Sequence, residues 1–250
     1  MSKVYIANWK ANLSLSDSES LARRYLETGL DKLGVEIFVA PSHFALEKVE
    51  EVFKNSSLKI LAQDVSEFEK PGAFTGEVFA EFLKEIGVSG SLVGHSERRV
   101  YLNESESLKK KVLNLVRNNL LAILCIGENS SERASGMTKK VIETQLENDL
   151  SLVSELSEKN LMIAYEPVWA ISTFPGAKPA TYFDIEPALI QIREWLKKRF
   201  GETLGGKIKV LYGGSVKPEN IKEYKINLID GFLVGGAGLD PEKFKMIITA

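Results

Sequence analysis

Short apolar runs recur along the chain, and each is followed by a stretch with helical spacing. The runs lie at residues 4–9, 35–40, 58–63, 91–94, 121–126, 161–165, 208–212 and 229–234. They read as strands. The run at 121–126 reads as a buried one, with Cys125 inside it. Between the runs, Ser16 is positioned to cap a helix over 16–27, with Asp17 and Glu19 in its first turn and Gly29 as a stop. Further helices are expected over 44–54, 77–86, 104–119, 138–156, 185–200 and 241–248. The 138–156 stretch carries apolar residues at Val141, Ile142, Leu146, Leu150 and Val153. Pro218 is expected to open a short helix between the last two strands.

Repeated strand–helix units imply a parallel sheet. Eight of them fit an α/β fold, a single (β/α)8 barrel over residues 1–250, with the active site at the C-terminal ends of the strands. An open doubly wound sheet is the alternative. Against it, NWKAN follows the first strand where that fold places GxGxxG. No linker, low-complexity tract or charge block separates the units.

Composition narrows the chemistry. Hydrophobic residues make up 44% and charged residues 26%, an ordinary globular balance with a sizeable core. The net charge of -2 gives no general attraction for nucleic acid or membrane, so any anionic ligand must be attracted locally. The single cysteine, Cys125, excludes an intrachain disulfide and suits a reducing compartment. No signal-like core and no long apolar run occurs, so no membrane span and a cytoplasmic location are expected. No HxH, HExxH, CxxC or GxSxG pattern is present, so neither a metal site nor a nucleophile elbow is expected.

In a barrel, the residues just after each strand meet on one face. Glu166 ends the sixth strand, and Pro167 keeps it out of the helical region. The segment after it, residues 167–180, is a candidate lid. The alternative is an exposed strand-end carboxylate. Asn8 and Lys10 follow the first strand on one face. Lys10 supplies a cation, unless it is a solvated surface lysine. His95 and Glu97 follow the fourth strand, and His43 follows the second. Spacing does not choose between the two histidines. GGSV, with Ser215, and GGAG, with Gly235 and Gly236, follow strands seven and eight, where barrels commonly hold a phosphate. The alternative is a pair of tight turns. A base, a candidate acid, a cation and a phosphate cradle suit proton abstraction beside a carbonyl on a small phosphorylated substrate.

NWKAN at 8–12, GAFTGE at 72–77, GHSERR at 94–99, AILCIGE at 122–128, YEPVWAI at 165–171, YGGSV at 212–216 and LVGGAGL at 233–239 occur in one order from end to end. That ordered set resembles the triosephosphate isomerase family. The resemblance implies interconversion of dihydroxyacetone phosphate and D-glyceraldehyde 3-phosphate without cofactor or metal. It implies Glu166 as the base, His95 as a neutral electrophile, Lys10 with Asn8 as the cationic pair, and Glu97 as a supporting carboxylate. It implies Ser172, Ser215, Gly235 and Gly236 as phosphate contacts. It also implies a homodimer formed through the 64–76 loop, Asp64 to Gly76, with no nucleic acid or membrane partner.

The chain departs from the family's pattern in three places. The lid reads AISTFPGAKPA, with Ser172 and Phe174 replacing glycines and with Pro175 and Pro179 expected to stiffen its longer C-terminal part. Gly238 replaces a serine, and Asp64 replaces an asparagine. The altered lid keeps two alternatives open: a phosphosugar-binding barrel with impaired catalysis, or an isomerase of a different phosphosugar.

Overall fold

The computed structural model describes residues 3–174 and 176–250; Met1, Ser2 and Pro175, one of the two lid prolines, lie outside the described residues. The strands are β1 (Val4–Asn8), β2 (Glu36–Ala40), β3 (Lys59–Ala62), β4 (Gly90–Val93), β5 (Leu121–Ile126), β6 (Leu161–Tyr165), β7 (Lys209–Tyr212) and β8 (Gly231–Val234). Each pairs in parallel with the next, and β8 pairs back onto β1, so the sheet closes as a barrel. Ile6 sits at the closing seam, beside Phe38 on one side and Leu233 on the other.

Both faces of the sheet are apolar, which is why the strand runs show so little alternation. One set of alternate side chains, including Ile6, Phe38, Leu92, Ile123, Cys125, Ala164 and Leu211, fills the barrel. The other set, including Val39, Leu124, Ile163 and Val210, packs against the helices. Cys125 is therefore fully enclosed, and burial pushes its thiol well above the ordinary value.

The helices are α1 (Leu15–Glu27), α2 (Leu46–Phe53), α3 (Ala80–Glu85), α4 (Ser96–Tyr101), α5 (Leu108–Arg117), α6 (Ser130–Ala134), α7 (Thr138–Asp149), α8 (Tyr182–Lys207) and α9 (Pro241–Thr249). Several differ from the sequence expectation. The cap of α1 is Ser14, not Ser16, because Ser14 Oγ accepts from the Asp17 N–H at 3.1 Å. Helix α7 stops at Asp149, well short of 156. Helix α8 starts earlier, at Tyr182; its first part ends at Phe200 as expected, because Gly201 breaks the helix with a left-handed φ of 82°, and a second short part runs on to Lys207. Pro218 opens no α-helix. Asn220 Oδ1 instead accepts from the Lys217 N–H at 2.8 Å, and a 3-10 turn follows over Ile221–Tyr224. Among the described residues, no helix is long and apolar enough to cross a membrane.

Candidate active site

The C-terminal ends of the strands surround a cleft of about 720 Å3. Asn8, Lys10, His95, Glu166, Ser172, Ser215, Gly235 and Gly236 all line it; Glu97 stands just outside the lining. His43 is elsewhere, with its Nε2 2.8 Å from the backbone oxygen of Asp64. The structure thereby separates two histidines that spacing leaves equivalent.

Lys10 has a φ of 51°, a left-handed backbone rare for a lysine. Three hydrogen bonds hold it there. Its N–H donates to Asn8 Oδ1 at 3.0 Å, and its carbonyl accepts from Gln63 Nε2 at 2.8 Å and Ser42 Oγ at 3.1 Å. The strained backbone aims the side chain back over the barrel mouth. Its Nζ meets Glu97 Oε1 at 2.5 Å. Burial alone pushes the Glu97 carboxyl up, but the Lys10 hydrogen bond and charge more than offset it, so Glu97 lies below the usual carboxylate range.

His95 caps α4, and its Nδ1 accepts from the Glu97 N–H at 3.3 Å. An accepting nitrogen carries no proton, so this hydrogen bond assigns the ring proton to Nε2. Nε2 lies 3.1 Å from Glu166 Oε1. The second carboxylate oxygen, Oε2, accepts from the Ser96 N–H at 2.8 Å. Glu166 is only 2% exposed. Its backbone N–H donates to the Ile126 carbonyl at 2.7 Å, which fixes the end of β6 against β5.

Space for that carboxylate is made by glycine. A Cβ on Gly213 would stand 2.8 Å from Glu166 Cγ. Beyond Gly213, Ser215 Oγ donates to the Ala170 carbonyl at 2.9 Å and accepts from the Ser172 N–H at 3.2 Å. The N-terminal end of the lid is thus tied to the turn after β7. Open space lies around the Cα of Gly236, leaving its backbone accessible from the cleft.

Sequence reasoning missed several participants. Ile171 and Leu233 give the cleft apolar wall, and Lys217 and Lys243 stand at its edge. Gln63 and Ser42, which hold the Lys10 backbone, carry no signal of their own in the sequence. Glu128 is also unforeseen. It accepts from Trp169 Nε1 at 2.8 Å and from the Tyr165 hydroxyl at 3.1 Å, anchoring the start of the lid.

A closed parallel barrel with a carboxylate against an imidazole, a cation beside them and glycine-rich turns opposite forms an enzyme-like site suited to proton transfer beside a carbonyl. A family model described as triosephosphate isomerase matches residues 3–250. A triosephosphate isomerase of Carboxydothermus hydrogenoformans is 43% identical over 251 residues, covering 99% of this chain and 98% of the relative. One of Clostridium botulinum strain Loch Maree is 38% identical, with 98% of each chain covered. The crystal structure of triosephosphate isomerase from Bartonella henselae superposes with a TM-score of 0.87 at 31% identity, covering 99% of this chain and 98% of that one. The chain belongs to the triosephosphate isomerase family, and with it to the intramolecular aldose–ketose isomerases.

Proposed function

We propose that the cleft interconverts dihydroxyacetone phosphate and D-glyceraldehyde 3-phosphate through an enediolate. Glu166 takes a proton from C1, the C–H electron pair forms the C1–C2 double bond, and the carbonyl electrons move onto O2. His95 presents its Nε2 proton to the carbonyl oxygen and carries a proton between O1 and O2. Glu166 then returns its proton to C2. Lys10, seated by Asn8 and braced by Glu97, stabilises the negative charge that develops on oxygen. The N–H groups of Ser172, Gly235 and Gly236, with the Ser215 hydroxyl, hold the phosphate.

The observation that carries this reading is the contact between Glu166 and His95 inside the cleft, at 3.1 Å. Both Glu166 oxygens are occupied, one by His95 and one by the Ser96 N–H. Substrate must therefore displace the imidazole bond before the carboxylate faces carbon. The same displacement frees the Nε2 proton for the carbonyl. Glu166→Gln is expected to lower kcat by about a thousandfold or more, since a neutral amide cannot take the proton. A coupled assay in both directions, with circular dichroism to check the fold, reads this. A variant as active as wild type would remove Glu166 from the base role. Wild-type protein that bound triose phosphate without turning it over would favour the binding-barrel alternative that the altered lid leaves open.

The same reading treats residues 1–250 as one domain, which accords with β8 pairing onto β1. It also includes a homodimer. In support, Phe68 stacks on Phe74 at 3.8 Å between centroids, and ring contacts continue through Phe79 to Phe82. Phe68, Phe74 and Phe82 are all left at the surface. Sedimentation equilibrium of the intact chain at twice the monomer mass is expected; a monomer at all concentrations would reject the dimer. A cytoplasmic location accords with the unpaired Cys125.

A further inference from the structure

The lid touches the helix that holds the base. Ile171 and Phe174 close a turn, with the Phe174 N–H donating to the Ile171 carbonyl at 3.0 Å. The turn projects two consecutive side chains toward α4. Thr173 Oγ1 donates to Glu97 Oε1 at 3.2 Å. Phe174 stacks on Tyr101, with ring centroids 5.7 Å apart and planes inclined by 20°. Glu97 and Tyr101 are four residues apart on α4, so they share one helix face. The lid therefore docks on an i,i+4 pair, one contact polar and one aromatic.

Ser172 binds Ser215 on one side of the cleft while Thr173 and Phe174 bind α4 on the other, so the lid spans the mouth. Tyr101 stays 61% exposed even with the Phe174 ring against it, so this contact supplies much of what covers its ring. We infer that Phe174 and Tyr101 form an aromatic clasp that positions the lid over the cleft before substrate arrives. They are positioning residues. By stabilising the lid-down state, the clasp tightens the hold on a phosphorylated ligand without entering the proton transfer. The link to turnover rests on the isomerase reading above; the link to lid position does not.

An aromatic pair of this kind shifts a two-state equilibrium by about threefold to tenfold. In the ligand-free full chain, Phe174→Ala should raise amide hydrogen exchange across residues 171–174 by about that factor. KM for triose phosphate and the Kd for glycerol 3-phosphate, measured by calorimetry, should rise alike while kcat does not fall. Tyr101→Ala should reproduce the effect, and the double variant should exceed neither single one by much. Tyr101→Phe, which keeps the ring, should retain wild-type values. Unchanged exchange in Phe174→Ala would overturn the clasp, as would fully additive single effects. Raised exchange in a protein without turnover would leave the clasp standing and sink the isomerase reading instead.

Discussion

Gly127 offers a direct test of how the barrel places Glu166, the proposed base. It follows β5 and lies against the end of β6. A Cβ at this position would sit 1.9 Å from the Glu166 carbonyl oxygen and 2.6 Å from its carbonyl carbon, where ordinary contact begins at 3.4 Å. Gly127→Ala therefore demands about 1.5 Å of new separation between two backbones. The β5 side resists, because Gln145 grips Gly127 at both ends: the Gly127 N–H donates to its Oε1 at 2.8 Å, and its Nε2 donates to the Gly127 carbonyl at 3.1 Å. Displacement thus falls on Glu166. Overpacking of this sort costs about 1–3 kcal/mol of stability. A misplacement of about 1 Å at a reacting group costs about a hundredfold in rate. Gly127 is not in the left-handed region, so alanine strains no dihedral and the effect is steric alone. Gly29→Ala is the matched control: its φ is 75° and nothing lies within 4 Å of the added carbon. It should lose about 1–2 kcal/mol to backbone strain and keep full kcat. Urea unfolding and steady-state assays separate the two. A folded Gly127→Ala protein with kcat within about twofold of wild type would refute the claim that this backbone contact sets the base.

Two further outcomes follow from charge. Lys111 is buried between Asp64, at 2.7 Å, and Glu104. Lys111→Met leaves those carboxylates with Arg98 as their shared cation and should cost about 1–3 kcal/mol in urea unfolding, whereas Lys110→Met, which removes an exposed pair with Glu67, should cost about 0–1 kcal/mol. Glu97 is held below the usual carboxylate range, so its contribution to stability is present above the unfolded pKa of about 4.3 and is lost as pH falls through the lower folded value. Glu97→Gln should accordingly flatten the fall of Tm as pH drops below about 4.3; an acid limb as steep as wild type would show that Glu97 does not gain from Lys10 in the folded state.

The strands were legible because each is a bounded apolar run, and the barrel followed from their number and alternation with helices. Most site residues were legible for the same reason: a position just after a strand is a position at the mouth. What was hidden depends on three dimensions. Helix α4 escaped notice because SERRVY is too short to show a period. Ser14 and Ser16 are chemically equivalent as caps, and only the bond from the Asp17 N–H distinguishes them. Pro218 is a fair helix signal that loses to the Asn220 side chain, which binds the Lys217 N–H and the Ser215 carbonyl instead. The choice of His95 over His43 and the meeting of Phe174 with Tyr101 are tertiary facts, invisible to spacing.

Helix α4 shows how stability and placement divide. Six residues make barely more than one turn, far below the length at which a helix persists alone. Yet it supplies the His95 cap, the Ser96 N–H that holds Glu166, and the Glu97 that braces Lys10. Two adjacent arginines fix it from different sides. Arg98 reaches Asp64 at 2.7 Å and Glu104 at 2.8 Å. Arg99 reaches Asp149 at 2.6 Å and donates to the carbonyls of Gly94 and Cys125, each at 2.8 Å. Buried ion pairs add little net stability over a well-packed apolar core, because desolvation offsets the attraction. Their directionality is another matter: a planar guanidinium bound at two or three points fixes orientation as well as distance. The arginines tie α4 to β4, β5 and α7, so the helix moves only if the barrel does. The His95 imidazole and the N–H that parks Glu166, the proposed acid–base pair, are thereby carried on a segment too short to hold its own shape.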